Sequence, residues 1–335
     1  MPLALAALRL AVKPALNWSR GFATPLRMQL NFDRRVADSI PSSWVDHAPV
    51  ALRPYLRLAR YDRPIGFWLL GLPCVHGLML ARIGQGLGWI DLWYLVLFAL
   101  GTVAMRGAGC TYNDIVDREL DARVARTASR PLPAGTVTLK QAWIFVAAQC
   151  AVGLIVLIQF PLLAIGVGLA SLLLVAAYPF MKRITWWPQA WLGLTFNWGI
   201  PVAYVAATGR IDLTMLILYA AGICWTLGYD TIYAHQDGED DALVGVKSTA
   251  RLFGESSQVW VAGFYGLNAV LIGIAIWLSG ATPWVVIPYA LYTAHLFNQV
   301  RKLDIENGDQ CLAIFKSNRT TGLLLAATLA LAALL

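Results

Sequence analysis

Charged residues are scarce in this sequence. They make up 13% of the 335 residues, whereas a soluble globular domain contains roughly 25%. Hydrophobic residues account for 58% of the chain, and apolar stretches of roughly 20 residues, the length of a membrane-spanning helix, recur along it. This composition excludes a soluble globular domain, a disordered chain and a coiled coil.

Other patterns are missing as well. The sequence does not show the short alternation of apolar and polar residues that is typical of a porin. Its five cysteines have no Cys-x-x-Cys spacing, which argues against a disulfide framework. Its four histidines are scattered, with no spacing typical of a zinc or haem site. What remains is an all-α polytopic membrane protein.

Nine apolar stretches are long enough to cross a bilayer, which requires about 17–25 residues. We therefore predict nine transmembrane helices. The predicted spans are residues 65–82, 91–112, 139–159, 162–180, 188–208, 212–234, 257–279, 283–299 and 320–335.

Basic residues divide unequally between the two sides of this nine-span arrangement. One side carries only Arg82 and Arg210. The other carries Arg53, Arg57, Arg60, Arg63, Arg118, Arg123, Arg126, Arg130, Lys140, Lys182, Arg183, Lys247, Arg251, Arg301, Lys302, Lys316 and Arg319. The positive-inside rule places the second side, with the N-terminus, in the cytoplasm or its equivalent compartment. The net charge of +7 is explained by topology, so we expect no nucleic-acid partner.

The first 32 residues contain four basic residues and no acidic one. This composition is typical of a mitochondrial transit peptide. The alternative is an over-long gene start, with Met28 as the true first residue. We assign residues 1–52 to an N-terminal lead-in and residues 53–335 to a transmembrane domain.

Nearly half of the acidic residues fall in two short segments, at the ends of spans two and six. The first segment contains Asp114, Asp117, Glu119 and Asp121, and the second contains Asp230, Asp237, Glu239, Asp240 and Asp241. Clustered carboxylates at a membrane boundary repel one another and are costly to desolvate. A cation is therefore expected beside them.

The spacing within the clusters indicates a metal site. Asn113, Asp117 and Asp121 recur every four residues and share one face of a helix. Asp237 and Asp241 repeat this spacing. Because Mg²⁺ prefers carboxylate oxygens together with substrate phosphates, we predict that these five residues bind Mg²⁺. The alternative is a pair of solvated helix ends with salt bridges.

Basic residues follow both clusters. Acids for a metal and bases for phosphate oxygens together suit a pyrophosphate group, and the candidate bases are Arg126, Arg130, Lys182, Arg183 and Lys247. Alternatively, they only set topology. Arg106 differs because it lies inside span two, where a charge is costly and needs a partner. Asp230, at the end of span six, is a candidate partner for a cation.

The two acidic motifs identify a resemblance. The segments NDIVDRELD and RTASRPLPAG, and later GYDTIYAHQDGEDDALVGVKSTA, resemble the motifs of the UbiA superfamily of intramembrane aromatic prenyltransferases. The segments Leu58–Leu70 and Tyr178–Gly199 are similar to the branch that acts on 4-hydroxybenzoate. The resemblance covers roughly residues 53–335. It implies nine helices around a central cavity that opens sideways to lipid, with an active site at the cytoplasmic side.

The resemblance also implies a function. A member of this branch transfers a polyprenyl group from an isoprenoid diphosphate to the ring of 4-hydroxybenzoate, ortho to the hydroxyl, in ubiquinone biosynthesis. Two Mg²⁺ ions would hold the diphosphate, one at Asn113, Asp117 and Asp121 and the other at Asp237 and Asp241. Asp114 and Asp240 would support these ligands. Arg126, Arg130, Lys182 and Lys247 would stabilise the departing pyrophosphate.

The acceptor and the isoprenoid tail need their own contacts. Arg63 and Arg106 are candidates for the acceptor carboxylate, and Tyr178, Asn197 and Tyr233 for other substrate contacts. The candidate aromatic wall of the cavity consists of Tyr178, Phe196, Trp198 and Tyr204.

Two alternatives stay open at this stage. Relatives use other acceptors, such as naphthoate or homogentisate. A transporter would also carry acids within its spans, but near the bilayer midplane, and here they cluster at one face.

The segment Arg34–Pro49 looks more like bacterial relatives, which favours a bacterial inner membrane over the mitochondrial inner membrane.

Overall fold

The computed structural model describes residues 43–124, 127–237 and 245–335, with the side chain of Asp237 left out. All regular secondary structure in these ranges is helical, which confirms the all-α prediction. Within these ranges, six helices are long and apolar enough to cross a membrane.

Twelve α-helices occur in the described ranges. They are α1 (Arg53–Leu58), α2 (Ile65–Arg82), α3 (Trp89–Asp121), α4 (Leu139–Leu157), α5 (Leu162–Ile184), α6 (Pro188–Phe196), α7 (Gly199–Thr208), α8 (Leu213–Ala234), α9 (Thr249–Phe253), α10 (Ser257–Leu278), α11 (Val286–Lys302) and α12 (Gly308–Leu334). Short 3₁₀ turns cover Trp44–His47, His235–Asp237, Gly254–Ser256 and Pro283–Val285.

The nine predicted spans correspond to α2, α3, α4, α5, the α6–α7 pair, α8, α10, α11 and α12 among the described helices. The bounds of α2 coincide with the prediction. Two helices run well past their predicted spans: α3 continues to Asp121, and α12 begins at Gly308. The prediction followed hydrophobicity, which ends where charged residues begin, whereas backbone hydrogen bonding continues through polar turns.

The fifth predicted span, 188–208, is not one helix. It is interrupted at Asn197 and Trp198, between α6 and α7. The Asn197 side-chain amide donates to the carbonyl of Gly193 at 2.9 Å and to the Thr226 hydroxyl at 2.8 Å, and so ties the break to α8. Irregular backbone at membrane depth is tolerated where it is buried against protein in this way.

The helices pack through small residues and buried polar pairs. Helix α2 packs against α7 and α12, and α8 packs against α6 and α10. At Gly77 an added Cβ would lie 2.4 Å from the Ile200 carbonyl oxygen, so α2 and α7 approach each other backbone to backbone. The Trp225 indole N–H donates to the Asn318 side-chain oxygen at 2.8 Å, between α8 and α12. Such contacts hold helices together in lipid, where apolar surface provides little driving force.

The packed region begins before α1. Val45, in the turn Trp44–His47, is fully buried, and Asp46 pairs with Arg57 at 3.1 Å. Ser43, Val45 and Asp46 therefore pack with the helical region, although they belong to the segment 1–52 that the sequence assigned to the lead-in.

Contacts also join the helix ends that lie next to the basic loops. Lys182 at the end of α5 contacts Asp117 near the end of α3. The Gln258 amide, at the start of α10, donates to the Val300 carbonyl near the end of α11 at 3.0 Å. At the other ends of the helices, Arg82 pairs with Asp91 at 2.7 Å. This arrangement agrees with the predicted two-sided grouping of loops, while its orientation in a membrane stays a prediction.

Candidate active site

A cavity of about 660 Å³ lies between α2, α3, α4, α5 and the α6–α7 pair. Much of its wall is apolar and includes Met105, Leu157, Phe160, Val175 and Trp198. Its polar lining includes Arg60, Arg63, Asn113, Asp114 and Arg130. A cavity with one long apolar wall and a charged region suits a ligand that has an apolar tail and an anionic head.

The first acidic motif occupies the last turns of α3. Asn113 lines the cavity, Asp117 is fully buried and Asp121 is 6% exposed. Glu119, on a different face of the helix, has a side chain that is 80% exposed. The helical spacing therefore places the predicted metal ligands on the buried face, as the sequence indicated.

Basic side chains surround Asp117. The Lys182 ammonium contacts one carboxylate oxygen at 2.5 Å, and the Arg183 guanidinium contacts the other at 2.9 Å. Both bases come from the end of α5, so they link α5 to α3. The sequence indicated Arg183 as a candidate base beside Lys182, while the resemblance assigned Lys182 alone of the two to the pyrophosphate.

Two arginines contact the remaining carboxylates of this motif. Arg130 pairs with Asp121 at 2.9 Å and reaches Asp114 at 3.5 Å. Arg60 pairs with Asp114 at 2.7 Å. Sequence reasoning had assigned Arg60 only a topological role, because nothing in the spacing links it to a residue 54 positions away.

Arg106 lies within α3, two helical turns before Asn113, and lines the cavity. Its guanidinium carbon is 5.3 Å from the centre of the Phe196 ring. Its Nε is buried and has no hydrogen-bond partner in the described residues. This Nε packs against Gly66 of α2. Among the described residues, no salt bridge joins Arg106 to Asp230.

The other predicted substrate contacts divide into two groups. Arg63, Tyr178, Phe196, Trp198 and Tyr233 line the cavity. Asn197 and Tyr204 do not: the amide of Asn197 holds the α6–α7 break, and the Tyr204 hydroxyl donates to Asp212 at 2.7 Å. Substrate contact by Asn197 and a place for Tyr204 in the cavity wall stay predictions.

Lys247 lies at the end of α5, beside the bases that contact Asp117. Its ammonium donates to the carbonyl of Ile184 at 3.1 Å, and its backbone N–H donates to the carbonyl of Lys182 at 3.0 Å. Lys247 therefore fixes the end of α5, which carries the two bases beside Asp117, and does not line the cavity.

The second acidic motif lies mostly outside the described residues: Asp240, Asp241 and the side chain of Asp237 are not described. Arg126 lies outside them as well. The turn His235–Asp237 follows α8 directly, and burial lowers the pKa of His235. Within the described residues, no three His, Cys, Asp or Glu side chains converge as a metal cluster. The Mg²⁺ ligand set stays a prediction.

Comparison with known proteins gives close relatives. The chain is 48% identical over 287 residues to the mitochondrial 4-hydroxybenzoate polyprenyltransferase of Rattus norvegicus, and the match covers 84% of this chain and 75% of the relative. It is 46% identical over 286 residues to the protein of the same name from Homo sapiens, with the same coverage.

Solved structures share the fold. The apo structure of a UbiA homolog from Aeropyrum pernix K1 matches with a TM-score of 0.67 and 26% identity, covering 79% of this chain and 97% of that one. A UbiA homolog from Archaeoglobus fulgidus bound to GPP and Mg²⁺ matches with a TM-score of 0.61 and 19% identity, covering 84% and 99%.

The family assignment follows from these matches and from the motifs on α3. The model of the UbiA prenyltransferase family matches residues 70–334, which include most of the cavity lining and the described acidic motif. The chain belongs to the UbiA prenyltransferase family.

Proposed function

We propose that this protein transfers a polyprenyl group from an isoprenoid diphosphate to the ring of 4-hydroxybenzoate, ortho to the hydroxyl, in ubiquinone biosynthesis. The observation that carries the proposal is the cavity, whose apolar wall adjoins the buried carboxylate of Asp114 and several arginines. The names of the relatives at 46–48% identity support the choice of acceptor.

Arg106 is the proposed contact for the acceptor carboxylate. Arg106 lines the cavity, and none of the salt bridges among the described residues includes it. A buried cation with an unpaired donor is costly in a membrane protein, and a bound carboxylate would relieve that cost. The ring of Phe196 beneath the guanidinium fixes its position.

The diphosphate would bind where the bases gather at the end of α3. Arg130 lines the cavity, and Lys182 and Arg183 lie beside Asp117. These cations would stabilise the negative charge that grows on the leaving pyrophosphate. Arg126 is proposed to stabilise the pyrophosphate as well. Arg63, which also lines the cavity, stays a second candidate for the acceptor carboxylate.

The oxygen ligands fit a divalent cation. Asn113, Asp117 and Asp121 provide an amide oxygen and two buried carboxylates on one helix face, the donor type that Mg²⁺ prefers. Asp237 and Asp241 are the proposed second set. Archaeoglobus fulgidus relatives are bound to Mg²⁺ or to Cd²⁺. Bound Mg²⁺ would add positive charge beside the diphosphate oxygens.

The proposed reaction breaks the bond between the prenyl carbon and the diphosphate oxygen and forms a carbon–carbon bond to the ring. The ring carbon supplies the electron pair, the ring proton is released, and pyrophosphate leaves with the electrons of the broken bond. The apolar wall, with Phe160 and Trp198, keeps water from the allylic cation. Tyr178 and Tyr233 are proposed to position the ring.

The test uses the purified full chain in lipid nanodiscs with Mg²⁺ and a prenyl diphosphate. We expect 4-hydroxybenzoate to yield a prenylated product, identified by mass, and one pyrophosphate per product. A chelator should stop the reaction, and added Mg²⁺ should restore it. Naphthoate and homogentisate acceptors are the controls. Faster turnover of either would reject the acceptor, and the absence of prenyl transfer to all of them would reject the function.

The membrane is proposed to be the mitochondrial inner membrane, because the relatives named above are mitochondrial proteins. This choice departs from the bacterial inner membrane that the sequence favoured. A reporter fused behind residues 1–32 should be imported into isolated mitochondria, whereas a fusion with Arg9, Lys13, Arg20 and Arg27 changed to Gln should not. Failure of the first fusion to enter would favour the bacterial assignment.

A further inference from the structure

Arg60 occupies a backbone position that usually belongs to glycine. Its φ is +62°, and it is the one non-glycine residue with positive φ in the described residues. Its N–H donates to the carbonyl of Arg57 at 3.0 Å, and the N–H of Tyr61 donates to the carbonyl of Leu56 at 2.9 Å. These two bonds form the Schellman turn that ends α1, in which glycine is the common residue at this place.

A side chain in this conformation is sterically disfavoured, so a compensating interaction is expected. The guanidinium of Arg60 donates to the Asp114 carboxylate at 2.7 Å. Asp114 is fully buried, and Arg60 is 7% exposed. A short, charge-assisted hydrogen bond between buried groups is among the stronger polar interactions in proteins. The pair also joins the end of α1 to α3.

The same carboxylate oxygen of Asp114 also faces Arg130, at 3.5 Å. Arg130 makes its shorter contact, 2.9 Å, with Asp121. Arg130 thus lies between two carboxylates, and Arg60 takes the closer place at Asp114. If Arg60 were lost, Asp114 would be a buried anion with Arg130 as its remaining described partner and would draw the guanidinium away from Asp121.

We infer that Arg60 is a positioning residue, which neutralises Asp114 and thereby keeps the guanidinium of Arg130 at the end of α3 where a diphosphate binds. The binding of a diphosphate at the end of α3 rests on the proposed function. The ion pair and its effect on Arg130 follow from the geometry. Glycine would fit the backbone at position 60 more easily, but it has no side chain that could neutralise Asp114.

The first experiment needs no substrate. Thermal unfolding of the full chain in detergent is measured for Arg60→Gln, Asp114→Asn and the double variant. We expect the two losses in Tm to be strongly non-additive, because each variant removes the same contact. Arg57→Gln is the matched control, since Arg57 is a buried arginine on α1 that pairs with Asp46. Its effect should add to that of Asp114→Asn. Additive losses for Arg60 and Asp114 would overturn the pairing.

The backbone gives an independent prediction. Arg60→Gly and Arg60→Ala both remove the guanidinium, but only the glycine variant relieves the disfavoured φ. We expect Arg60→Gly to have the higher Tm of the two. An equal or lower Tm for the glycine variant would contradict the Schellman turn at Arg60.

The second experiment uses inorganic pyrophosphate with Mg²⁺ as the probe, and its Kd is measured by calorimetry. We expect Arg60→Gln to raise this Kd about tenfold, Arg60→Lys to raise it less, and Arg57→Gln to leave it unchanged, because a displaced Arg130 binds phosphate oxygens less well. An unchanged Kd in Arg60→Gln would overturn the positioning role.

Turnover separates this inference from the proposed function. With prenyl diphosphate and 4-hydroxybenzoate, Arg60→Gln should raise the diphosphate KM and leave the acceptor KM unchanged. Equal changes in both would indicate a general structural defect and overturn the inference. If the unsubstituted protein binds pyrophosphate but transfers no prenyl group, the proposed function fails, and the Kd values alone decide the role of Arg60.

Discussion

Asp117 shows how closely charge and burial are linked in this protein. Its carboxylate has no exposed surface, yet two cations from α5 contact it, Lys182 and Arg183. Removing the carboxylate would leave two positive charges facing each other, and removing both cations would leave a buried anion. The site therefore depends on several residues at once.

Substitution of Asp117 tests this dependence. We expect Asp117→Asn to lower kcat/KM for prenyl transfer by at least about 100-fold, because both charge balance and the proposed metal ligand are lost. Glu119→Gln is the control, since that side chain lies on the same helix but is 80% exposed. Product formation is followed by mass. Near-normal turnover by Asp117→Asn would reject its role.

Arg106 makes a separate prediction for the acceptor. With 4-hydroxybenzoate, Arg106→Gln should raise the acceptor KM by about 10- to 100-fold, the loss expected for a hydrogen bond to a charged group. The diphosphate KM should change little. Phenol, which lacks the carboxylate, serves as the matched acceptor and should be equally poor with both proteins. An unchanged acceptor KM would assign the carboxylate of 4-hydroxybenzoate to another residue.

At the scale of single helices, the apolar parts were predictable and the polar extensions were not. The spacing of Asn113, Asp117 and Asp121 correctly indicated one helix face, although the predicted span ended at residue 112. The span 188–208 was predicted as one crossing, although Gly199 and Pro201 inside it are typical of a kink. The position of the break, at Asn197 and Trp198, depends on contacts of Asn197 with α6 and α8. Hydropathy measures transfer to lipid and is insensitive to such contacts.

The contact between α2 and α7 can be tested at Gly77. An added Cβ would lie 2.4 Å from the Ile200 carbonyl oxygen and 2.9 Å from its Cα, and both atoms belong to backbone that cannot rotate away. We expect Gly77→Ala to lower the free energy of unfolding by about 1–3 kcal/mol, the usual range for overpacking. The change is measured by denaturant titration in detergent micelles.

Gly263 in α10 provides the matched control. No atom lies within 4 Å of its added Cβ, so Gly263→Ala should leave stability unchanged or raise it slightly, because alanine favours the helix. Equal destabilisation by both variants would show that the α2–α7 contact is looser than the structure indicates.

For the whole molecule, the distribution of charge predicts topology. Ala122 lies directly after α3, in one of the basic loops. Gln85 lies in the loop between α2 and α3, and both residues are exposed. In sealed vesicles of known orientation, Ala122→Cys and Gln85→Cys should react with a membrane-impermeant thiol reagent from opposite sides, with position 122 on the cytoplasmic or equivalent side.

The native cysteines are buried or half-buried, and a variant in which all five are replaced by alanine removes any background. Labelling of both positions from the same side would contradict the odd number of crossings between them. Labelling from opposite sides, with position 85 on the cytoplasmic side, would invert the predicted orientation.

The sequence by itself determined the class of the protein, the chemical types at its site and its family, because hydrophobic length, residue spacing and motif wording are local properties of the chain. Tertiary structure decided which charges meet. The pairs Arg60–Asp114 and Lys182–Asp117 join residues 54 and 65 positions apart, and the Lys247 ammonium donates to the carbonyl of Ile184 at the end of α5. Such partners depend on the packing angles and depths of whole helices, and these arise from the summed contacts of many side chains.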